Sequence, residues 1–163
     1  NEALSKLNQL NEFELHSIEQ PIKANQIQEM KLLCHQTPFP IALDEELIGV
    51  FETEDKRKLL EEIQPQYIIL KPSLVGGFKG TLEWISIAES LNIGWWITSA
   101  LESNIGLNAI TQFTFTLNNP MPQGLGTGGL YTNNFDCPLQ IENGHIQYNV
   151  DKQWGISNLG LQL

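Results

Sequence analysis

The sequence has 163 residues, 41% of them hydrophobic and 17% charged, which suits one globular domain with a substantial core. Its formal net charge of −10 argues against nucleic acids and anionic membrane surfaces as partners, because both would repel it. It has no uncharged apolar run of about 18 residues, so no transmembrane helix is expected.

Four apolar runs predict β-strands, and each of them ends at or beside a polar residue. The runs are residues 13–18 before Glu19, residues 40–43 before Asp44, residues 67–70 before Lys71, and residues 93–98 before Ser99. They recur roughly every 25 to 28 residues. This spacing is typical of a parallel barrel, in which eight βα units take about 250 residues.

Apolar residues at helical spacing occupy the intervals between these runs. Helices are predicted over residues 2–10, 26–36, 53–63, 80–91 and 104–117. Alternation of strands with helices indicates an α/β fold with a parallel sheet. After the last helix, residues 124–129 predict a loop or a bent strand. Residues 139–148 predict a β-hairpin around an Asn143-Gly144 turn.

Two α/β architectures fit this order, a (β/α) barrel of the TIM type and an open doubly wound sheet. An open sheet usually has a glycine-rich turn after an early strand. The glycine-rich segment at residues 76–80 matches neither G-x-G-x-x-G nor the ending of a P-loop. We therefore favour the barrel over the open sheet.

Three charged residues follow consecutive predicted strands, namely Glu19, Asp44 and Lys71. In a (β/α) barrel the carboxyl ends of the strands form the active site, and neighbouring strands lie about 4.8 Å apart. Two carboxylates at that distance need a cation between them, and oxygen ligands favour Mg²⁺. A lysine opposite the metal could transfer a proton or offset negative charge on an intermediate. The pattern therefore predicts metal-assisted proton abstraction next to a carboxylate.

Each of these residues also has an ordinary structural interpretation. Glu19 could be a solvated loop acid, Asp44 a helix N-cap and Lys71 an exposed turn residue. All three residues occupy the same position in their βα units, directly after the strand, and this favours a shared site. Glu45 and Glu46 are expected to support this site from behind or to face solvent.

The remaining polar and aromatic residues are interpreted as structural. The basic run at residues 56–58 predicts an exposed helix face. His16 is expected to pack within a strand, and the Trp95-Trp96 pair to pack between sheet and helices. His35 and His145 are expected at the surface. Two unpaired cysteines, Cys34 and Cys137, suit a reducing cytosol, so a cytoplasmic location is expected.

Five short motifs in order resemble the strand ends of one enzyme family. They are Ser-Ile-Glu-Gln-Pro at 17–21, Ala-Leu-Asp-Glu at 42–45, Leu-Lys-Pro-Ser-Leu-Val-Gly-Gly at 70–77, Thr-Ser-Ala-Leu-Glu-Ser-Asn-Ile-Gly-Leu at 98–107, and Gly-Leu-Gly-Thr at 124–127. They resemble the muconate-lactonizing subgroup of the enolase superfamily. Within it, the Lys-Pro-Ser segment followed by Gly-Gly is most similar to the o-succinylbenzoate synthase family.

This resemblance implies a lyase of menaquinone biosynthesis. Such an enzyme dehydrates 2-succinyl-6-hydroxy-2,4-cyclohexadiene-1-carboxylate to o-succinylbenzoate through an enediolate, with Mg²⁺ or alternatively Mn²⁺. The resemblance assigns Glu19 and Asp44 as two of three metal ligands, and Lys71 as the catalytic lysine opposite the base. It places Thr98, Ser99 and Gly124 at the substrate.

The family also has parts that this sequence lacks. They are a third carboxylate ligand, a Lys-x-Lys base and an N-terminal capping domain. We therefore expect the chain to be the C-terminal portion of a longer polypeptide and to be inactive alone. Residues 1–137 would form half of the barrel, and residues 138–163 a hairpin and tail packed toward the capping domain. The expected partners are a small carboxylate substrate and the rest of the barrel and cap.

Other functions are open at this point. The same groups could serve an N-acylamino acid racemase, a dipeptide epimerase or a muconate cycloisomerase. The absence of an acid at residues 124–129 argues against a peptide amine as ligand, and so against the epimerase. A non-catalytic α/β binding domain, with incidental strand-end charges, is the alternative outside the enzymes.

Overall fold

A computed structural model describes residues 2–155 and has the predicted order of strands and helices. The helices are α1 (Glu2–Leu10), α2 (Ile27–Gln36), α3 (Thr53–Ile63), α4 (Gly77–Ser90) and α5 (Asn104–Thr116). The strands are β1 (Ile18–Glu19), β2 (Ile41–Leu43), β3 (Tyr67–Leu70), β4 (Gly94–Ile97), β5 (Leu139–Glu142) and β6 (His145–Tyr148). The chain forms two compact parts, an N-terminal part up to Trp96 and a C-terminal part from Ile97.

The first four strands form one sheet in the order β1-β2-β3-β4. β1 pairs with β2 and β2 with β3 in parallel, with Glu19 opposite Ala42 and Leu43 opposite Ile68. All three residues of β2 are fully buried. Burial of every residue explains the uninterrupted apolar run, because helices and core cover both faces of such a strand. Because β1, β2 and β3 run parallel, their carboxyl ends lie at one common edge of the sheet.

Consecutive helices of the N-terminal part pack side by side, α1 with α2, α2 with α3, and α3 with α4. The start of α3 suits the helix dipole, since Glu54 and Asp55 lie in its first turn. Its apolar residues Leu60 and Ile63 are fully buried. The helix ends at Gln64, which adopts a left-handed conformation with φ of 55°.

α4 begins at Gly77, earlier than the predicted residue 80. The turn that precedes it explains the difference. Gly76 has φ of 97° and Gly77 has φ of 69°, both in the left-handed region that glycine adopts without steric cost. The glycine pair therefore reverses the chain between β3 and α4.

The prediction that the basic run 56–58 lies exposed on α3 is wrong for Lys56. Lys56 is only 1% exposed. Its Nζ lies 2.7 Å from Oε2 of Glu83 and 5.6 Å from the ring centroid of Trp84, both on α4. Neighbouring Lys58 is exposed, as predicted, and Arg57 is partly exposed. Lys56 faces the neighbouring helix because it lies one turn before buried Leu60.

The first strand is also shorter than predicted. Residues 11–13 form a 3₁₀ helix, and Glu14 has a left-handed φ of 50°, so strand pairing starts only at Ile18. His16 lies outside the strand and is exposed, contrary to the prediction of a strand residue. Its ring still packs on Tyr67, at a centroid distance of 5.0 Å.

The C-terminal part contains α5, a 3₁₀ helix at Gly126–Leu130 and the predicted hairpin. β5 and β6 pair antiparallel around Asn143 and Gly144, whose φ values of 50° and 75° fit a type I′ turn. The last eight residues of the predicted tail, 156–163, lie outside the described residues. No helix within residues 2–155 has the length and apolar character that crossing a bilayer requires.

Candidate metal centre

The structure places three predicted site residues at the common edge of the sheet. Glu19 is the last residue of β1, Asp44 directly follows β2, and Lys71 directly follows β3. The parallel pairing of these strands brings their carboxyl ends together. The edge therefore combines two acids and one amine from three consecutive βα units.

A third acid joins this group. Glu19, Asp44 and Glu45 each offer one carboxylate oxygen, and these oxygens all lie within 4.8 Å of one another. Asp44 is buried, whereas Glu19 and Glu45 are exposed. An open cleft of about 770 Å³ adjoins them and is lined by residues 19–24 and Glu45. The cluster is thus anchored in the protein on one side and reachable from solvent on the other.

Asp44 and Lys71 form an ion pair at the inner side of the cluster. The Lys71 ammonium donates a hydrogen bond to Oδ2 of Asp44. The side chain of Asp44 is 2% exposed and that of Lys71 is 20% exposed. A carboxylate this deeply buried needs such a partner, because an unpaired buried charge is costly.

The crowding of acids shifts the pKa of Glu19. A hydrogen bond with Asp44, burial and the charge of Asp44 together raise the pKa of Glu19 from 4.5 to about 7. The charge of Lys71 lowers this pKa, and that of Glu45 raises it. One positive charge therefore does not neutralise this group of carboxylates, which favours a further cation.

The pKa of Lys71 lies above its ordinary value. Burial lowers the pKa, but the hydrogen bond to Asp44 and the charges of Asp44, Glu19 and Glu45 outweigh burial. The sequence argument had Lys71 lose proton affinity beside a bound cation. In the metal-free protein the carboxylates are the dominant neighbours, so Lys71 is a positively charged group there, and the effect of a bound cation on its pKa stays a prediction.

The donor set fits a hard divalent cation. All three acidic groups supply oxygen, and two of them face an open cleft that leaves room for water or substrate oxygens. Mg²⁺ binds in this way, with few carboxylates and several exchangeable ligands. Glu19, Asp44 and Glu45 are the residues that could hold such an ion.

The three residues expected at the substrate lie together in the C-terminal part. The Thr98 hydroxyl donates to the carbonyl of Gly124 over 2.7 Å, and the Ser99 N–H donates to the same oxygen over 3.2 Å. Ser99 Oγ is also hydrogen-bonded to the Thr127 hydroxyl. A Cβ on Gly124 would lie 2.4 Å from Thr98 Oγ1, so only glycine fits this close approach.

The positions of Glu45 and Gln20 around the acids were missed from the sequence, whereas Glu46 is buried behind the acids, one of the two positions expected for it. Glu45 belongs to the acid cluster itself. Gln20 accepts a hydrogen bond from the Asp44 backbone N–H over 3.1 Å. Glu46 is 5% exposed and accepts from the Asn25 N–H with both carboxylate oxygens. The acidic run Asp44-Glu45-Glu46 was a signal for Glu45. No sequence pattern indicated the hydrogen bonds that Gln20 and Glu46 make.

Comparison with known proteins identifies the class. The family model described as "Enolase C-terminal domain-like" matches residues 1–157, so this chain belongs to that family. The predicted α/β fold of the enolase superfamily is thereby confirmed.

Individual relatives show which members of the family this chain is similar to. The chain is 55% identical over 142 residues to o-succinylbenzoate synthase from Desulfotalea psychrophila, covering 87% of this chain and 38% of that protein. It is similar to the solved structure of MenC from Desulfotalea psychrophila, with TM-score 0.85 and 54% identity, covering 88% of this chain and 40% of that one. It is 33% identical over 103 residues to N-succinylamino acid racemase from Thermus thermophilus, covering 63% and 27% respectively.

The resemblance to o-succinylbenzoate synthase that the motifs indicated is thus confirmed. The chain spans about two fifths of the length of the o-succinylbenzoate synthase that it matches.

Proposed function

We propose that a polypeptide containing this chain is a Mg²⁺-dependent lyase. It dehydrates 2-succinyl-6-hydroxy-2,4-cyclohexadiene-1-carboxylate to o-succinylbenzoate, a step of menaquinone biosynthesis. The supporting observation is the buried Asp44, paired with Lys71 and adjacent to Glu19, in a chain 55% identical to an o-succinylbenzoate synthase.

In this proposal Glu19 and Asp44 hold the metal, and Glu45 lies close enough to assist. When bound, Mg²⁺ stabilises the negative charge that develops on the substrate carboxylate as its neighbouring proton is removed. Burial of Asp44 fixes one ligand in place, while the exposed Glu19 and Glu45 leave coordination positions open toward the cleft. Mn²⁺ could take the same oxygen ligands.

Lys71 provides a fixed positive charge at this edge. In the metal-free protein the neighbouring carboxylates raise its pKa. We assign it to offset charge on the intermediate rather than to remove the substrate proton, as the resemblance to the family implies. Its hydrogen bond to Asp44 holds the ammonium in place before substrate binds. The base is then a group outside this chain, as the resemblance to the family implies.

Thr98, Ser99 and Gly124 are proposed to contact the substrate. Their mutual hydrogen bonds fix the backbone at the end of β4 and place two hydroxyl groups beside a side-chain-free position. The Thr98 hydroxyl already donates its hydrogen to Gly124, but the Ser99–Thr127 hydroxyl pair has a second hydrogen that could donate to a carboxylate or carbonyl oxygen. The remaining partners of the chain in this proposal are the rest of the barrel and the capping domain.

A racemase acting on N-succinylamino acids is the second candidate, because a protein with that activity is 33% identical over 103 residues. The same lysine and metal ligands would stabilise the same kind of carboxylate-derived intermediate. The succinyl group common to both substrates would require similar contacts. Assay of both substrates on the same preparation distinguishes the two activities.

The test uses the longer polypeptide that includes this chain. We expect formation of o-succinylbenzoate, complete loss of activity on chelation of divalent metal, and recovery on addition of Mg²⁺. Lys71→Ala is expected to lower kcat by about 10²-fold or more with folding retained. Turnover of N-succinylamino acids alone, without dehydration, would instead favour the racemase.

A further inference from the structure

We propose that Gln20 is a positioning residue that fixes Asp44 for metal binding by bridging the ends of β1 and β2. The inference rests on the proposed function of the acid cluster. In this inference the Gln20 carboxamide holds the proposed ligand Asp44 in a fixed position relative to Glu19, the proposed ligand at the end of β1.

The backbone of Gln20 extends the strand pairing by one residue beyond Glu19. Its N–H donates to the carbonyl of Ala42 over 2.9 Å. Gln20 then adopts a φ of 40°, in the left-handed region that non-glycine residues rarely occupy. Residues held in that region require compensating contacts from their surroundings, and such residues concentrate at functional sites.

The side chain of Gln20 supplies those contacts in both hydrogen-bonding directions. Its Oε1 accepts from the backbone N–H of Asp44 over 3.1 Å. Its Nε2 donates to the carbonyl of Ile22 over 3.1 Å and lies 3.5 Å from Oε1 of Glu46. The amide thus bridges the end of β1 and the residues that follow β2.

Glu46 anchors the far side of this bridge. It is 5% exposed, and its two oxygens accept from the backbone N–H of Asn25 at 3.1 Å each. Glu46 therefore holds the loop from Gln20 to Asn25 against the segment after β2. The backbone N–H of Asp44 is held by Gln20, and its carboxylate accepts a hydrogen bond from Lys71.

Only an amide satisfies this arrangement. A carboxylate at position 20 could accept from the Asp44 N–H, but it could not donate to Ile22, and it would face the Glu46 carboxylate. A methionine of similar length could make neither hydrogen bond. The methionine therefore removes the hydrogen bond to the Asp44 backbone, whereas the glutamate keeps it but loses the contacts that hold the side chain to Ile22 and Glu46. Both changes preserve most of the side-chain volume.

The test measures Mn²⁺ affinity by electron paramagnetic resonance and steady-state kinetics on the longer polypeptide. Gln20→Glu and Gln20→Met are expected to weaken Mn²⁺ binding about 10-fold to 100-fold. At saturating Mn²⁺, the KM for the organic substrate should change less than about threefold, which separates metal positioning from a general loss of structure.

A matched control is Gln28→Glu. Gln28 is an exposed residue of α2 whose Nε2 donates to Glu62 over 2.6 Å, so this change also places two carboxylates together. It should leave Mn²⁺ affinity unchanged. Near-UV circular dichroism of each variant verifies that the fold is intact.

The double variant Gln20→Glu/Glu46→Gln provides a rescue. The amide introduced at position 46 could donate to the carboxylate at position 20 and accept from the Asn25 N–H, so at least about fivefold of the lost Mn²⁺ affinity should return. Wild-type Mn²⁺ affinity in both single variants, or no recovery in a folded double variant, would overturn the inference. If Asp44→Asn also leaves Mn²⁺ affinity unchanged, the proposed metal site fails with it.

Discussion

Asp44 has a partner for its backbone N–H and others for its side chain. Its backbone N–H donates to Gln20, and its side chain is hydrogen-bonded to Lys71 and to Glu19. The side chain is 2% exposed, so its charge must be balanced within the protein. Any change of charge at Asp44 therefore affects both the metal site and the lysine beside it.

Asp44→Asn is expected to lower kcat/KM of the longer polypeptide by about 10³-fold or more, because an amide is a poor Mg²⁺ ligand and leaves Lys71 without its counter-ion. The fold should remain, since the amide oxygen can still accept from Lys71. Asp55→Asn on the exposed start of α3 is the control and should retain full activity. Comparable activity in the two variants would contradict the metal role of Asp44.

Glu19 predicts a pH dependence of metal binding. In the metal-free protein its pKa is about 7, so a bound cation must displace a proton below that pH. Mg²⁺ affinity is therefore expected to rise about tenfold per pH unit up to about pH 7 and to level off above it. Isothermal titration calorimetry across this range measures it. An affinity independent of pH would show that Glu19 is already ionised.

The stability of the metal-free protein should change in the opposite direction. Glu19 has a higher pKa in the folded protein than its ordinary value of 4.5, so the folded form binds the proton more tightly. Its contribution to stability is present at low pH and is lost as pH rises from about 4.5 through about 7. Urea unfolding in the presence of a chelator, repeated at several pH values, tests this sign.

At the scale of residues, sequence position located the charged members of the site but not their environment. Glu19, Asp44 and Lys71 were found because polar residues ended regularly spaced apolar runs. The hydrogen bonds of Gln20 and Glu46 could not be predicted, because they depend on a left-handed turn at Gln20. The raised pKa of Lys71 likewise depends on how many carboxylates fold around it.

An ion pair with a buried lysine joins α3 and α4 in the N-terminal part. Lys56 on α3 contacts Glu83 on α4 and also lies 3.5 Å from the carbonyl of Gly80. Lys56 is 1% exposed, whereas the Glu83 side chain is 28% exposed, so loss of the lysine leaves an acid that can still reach water. The pair therefore orients the two helices at a moderate cost of desolvation.

Lys56→Ala is expected to lower the free energy of unfolding by about 2–4 kcal/mol, through the lost ion pair and the cavity left beside Trp84. Lys56→Met retains most of the volume and should cost less. Lys58→Ala, on the same helix with a 71% exposed side chain, should change stability by less than about 0.5 kcal/mol. Equal unfolding midpoints for the variants at positions 56 and 58 would contradict this packing.

Gly124→Ala tests the close approach in the C-terminal part. The added Cβ would lie 2.4 Å from Thr98 Oγ1 and 2.8 Å from Thr98 Cβ, so the strand bridge must open at a cost of about 1–3 kcal/mol. The KM for substrate is expected to rise as well. Gly129→Ala has no atom within 4 Å of the new Cβ and serves as the control. A thermal shift for Gly129→Ala as large as that for Gly124→Ala would refute the steric argument.

Elements were predicted well where their pattern was local. The bounds of α3 and β3 and the turn of the hairpin agree with the sequence argument, because helical periodicity and an Asn-Gly turn depend on near neighbours. The extent of β1 was wrong, since strand ends are decided by pairing with β2. The burial of Lys56 was missed because it is decided by the helix that packs against α3.

At the scale of the whole molecule, the chain corresponds to part of its relatives. It covers 38% of the o-succinylbenzoate synthase that it matches. The proposed function assigns two of three metal ligands, Glu19 and Asp44, to this chain. The predicted division at residue 137, with a tail toward a capping domain, remains a prediction. The correspondence to part of a longer protein was found by comparison with longer relatives, because the repeat spacing within this chain describes only its own βα units.

The 163-residue chain alone is expected to show no dehydration of substrate, because the proposed base and third ligand lie outside it. The longer polypeptide, assayed in parallel at the same Mg²⁺ concentration, is the positive control. Product formation by the short chain at a rate comparable to that of the control would show that the chain contains all the groups that the reaction needs.

The order of the acid cluster along the chain affects how the protein is made. Asp44 and Lys71 are 27 residues apart, and Glu19 precedes them both. A ribosome has therefore released all three residues before it has translated much of the segment from Ile97 onward. Because the N-terminal part of a polypeptide generally folds first during synthesis, the nascent polypeptide can assemble the acidic edge during translation, before Gly124 has been added.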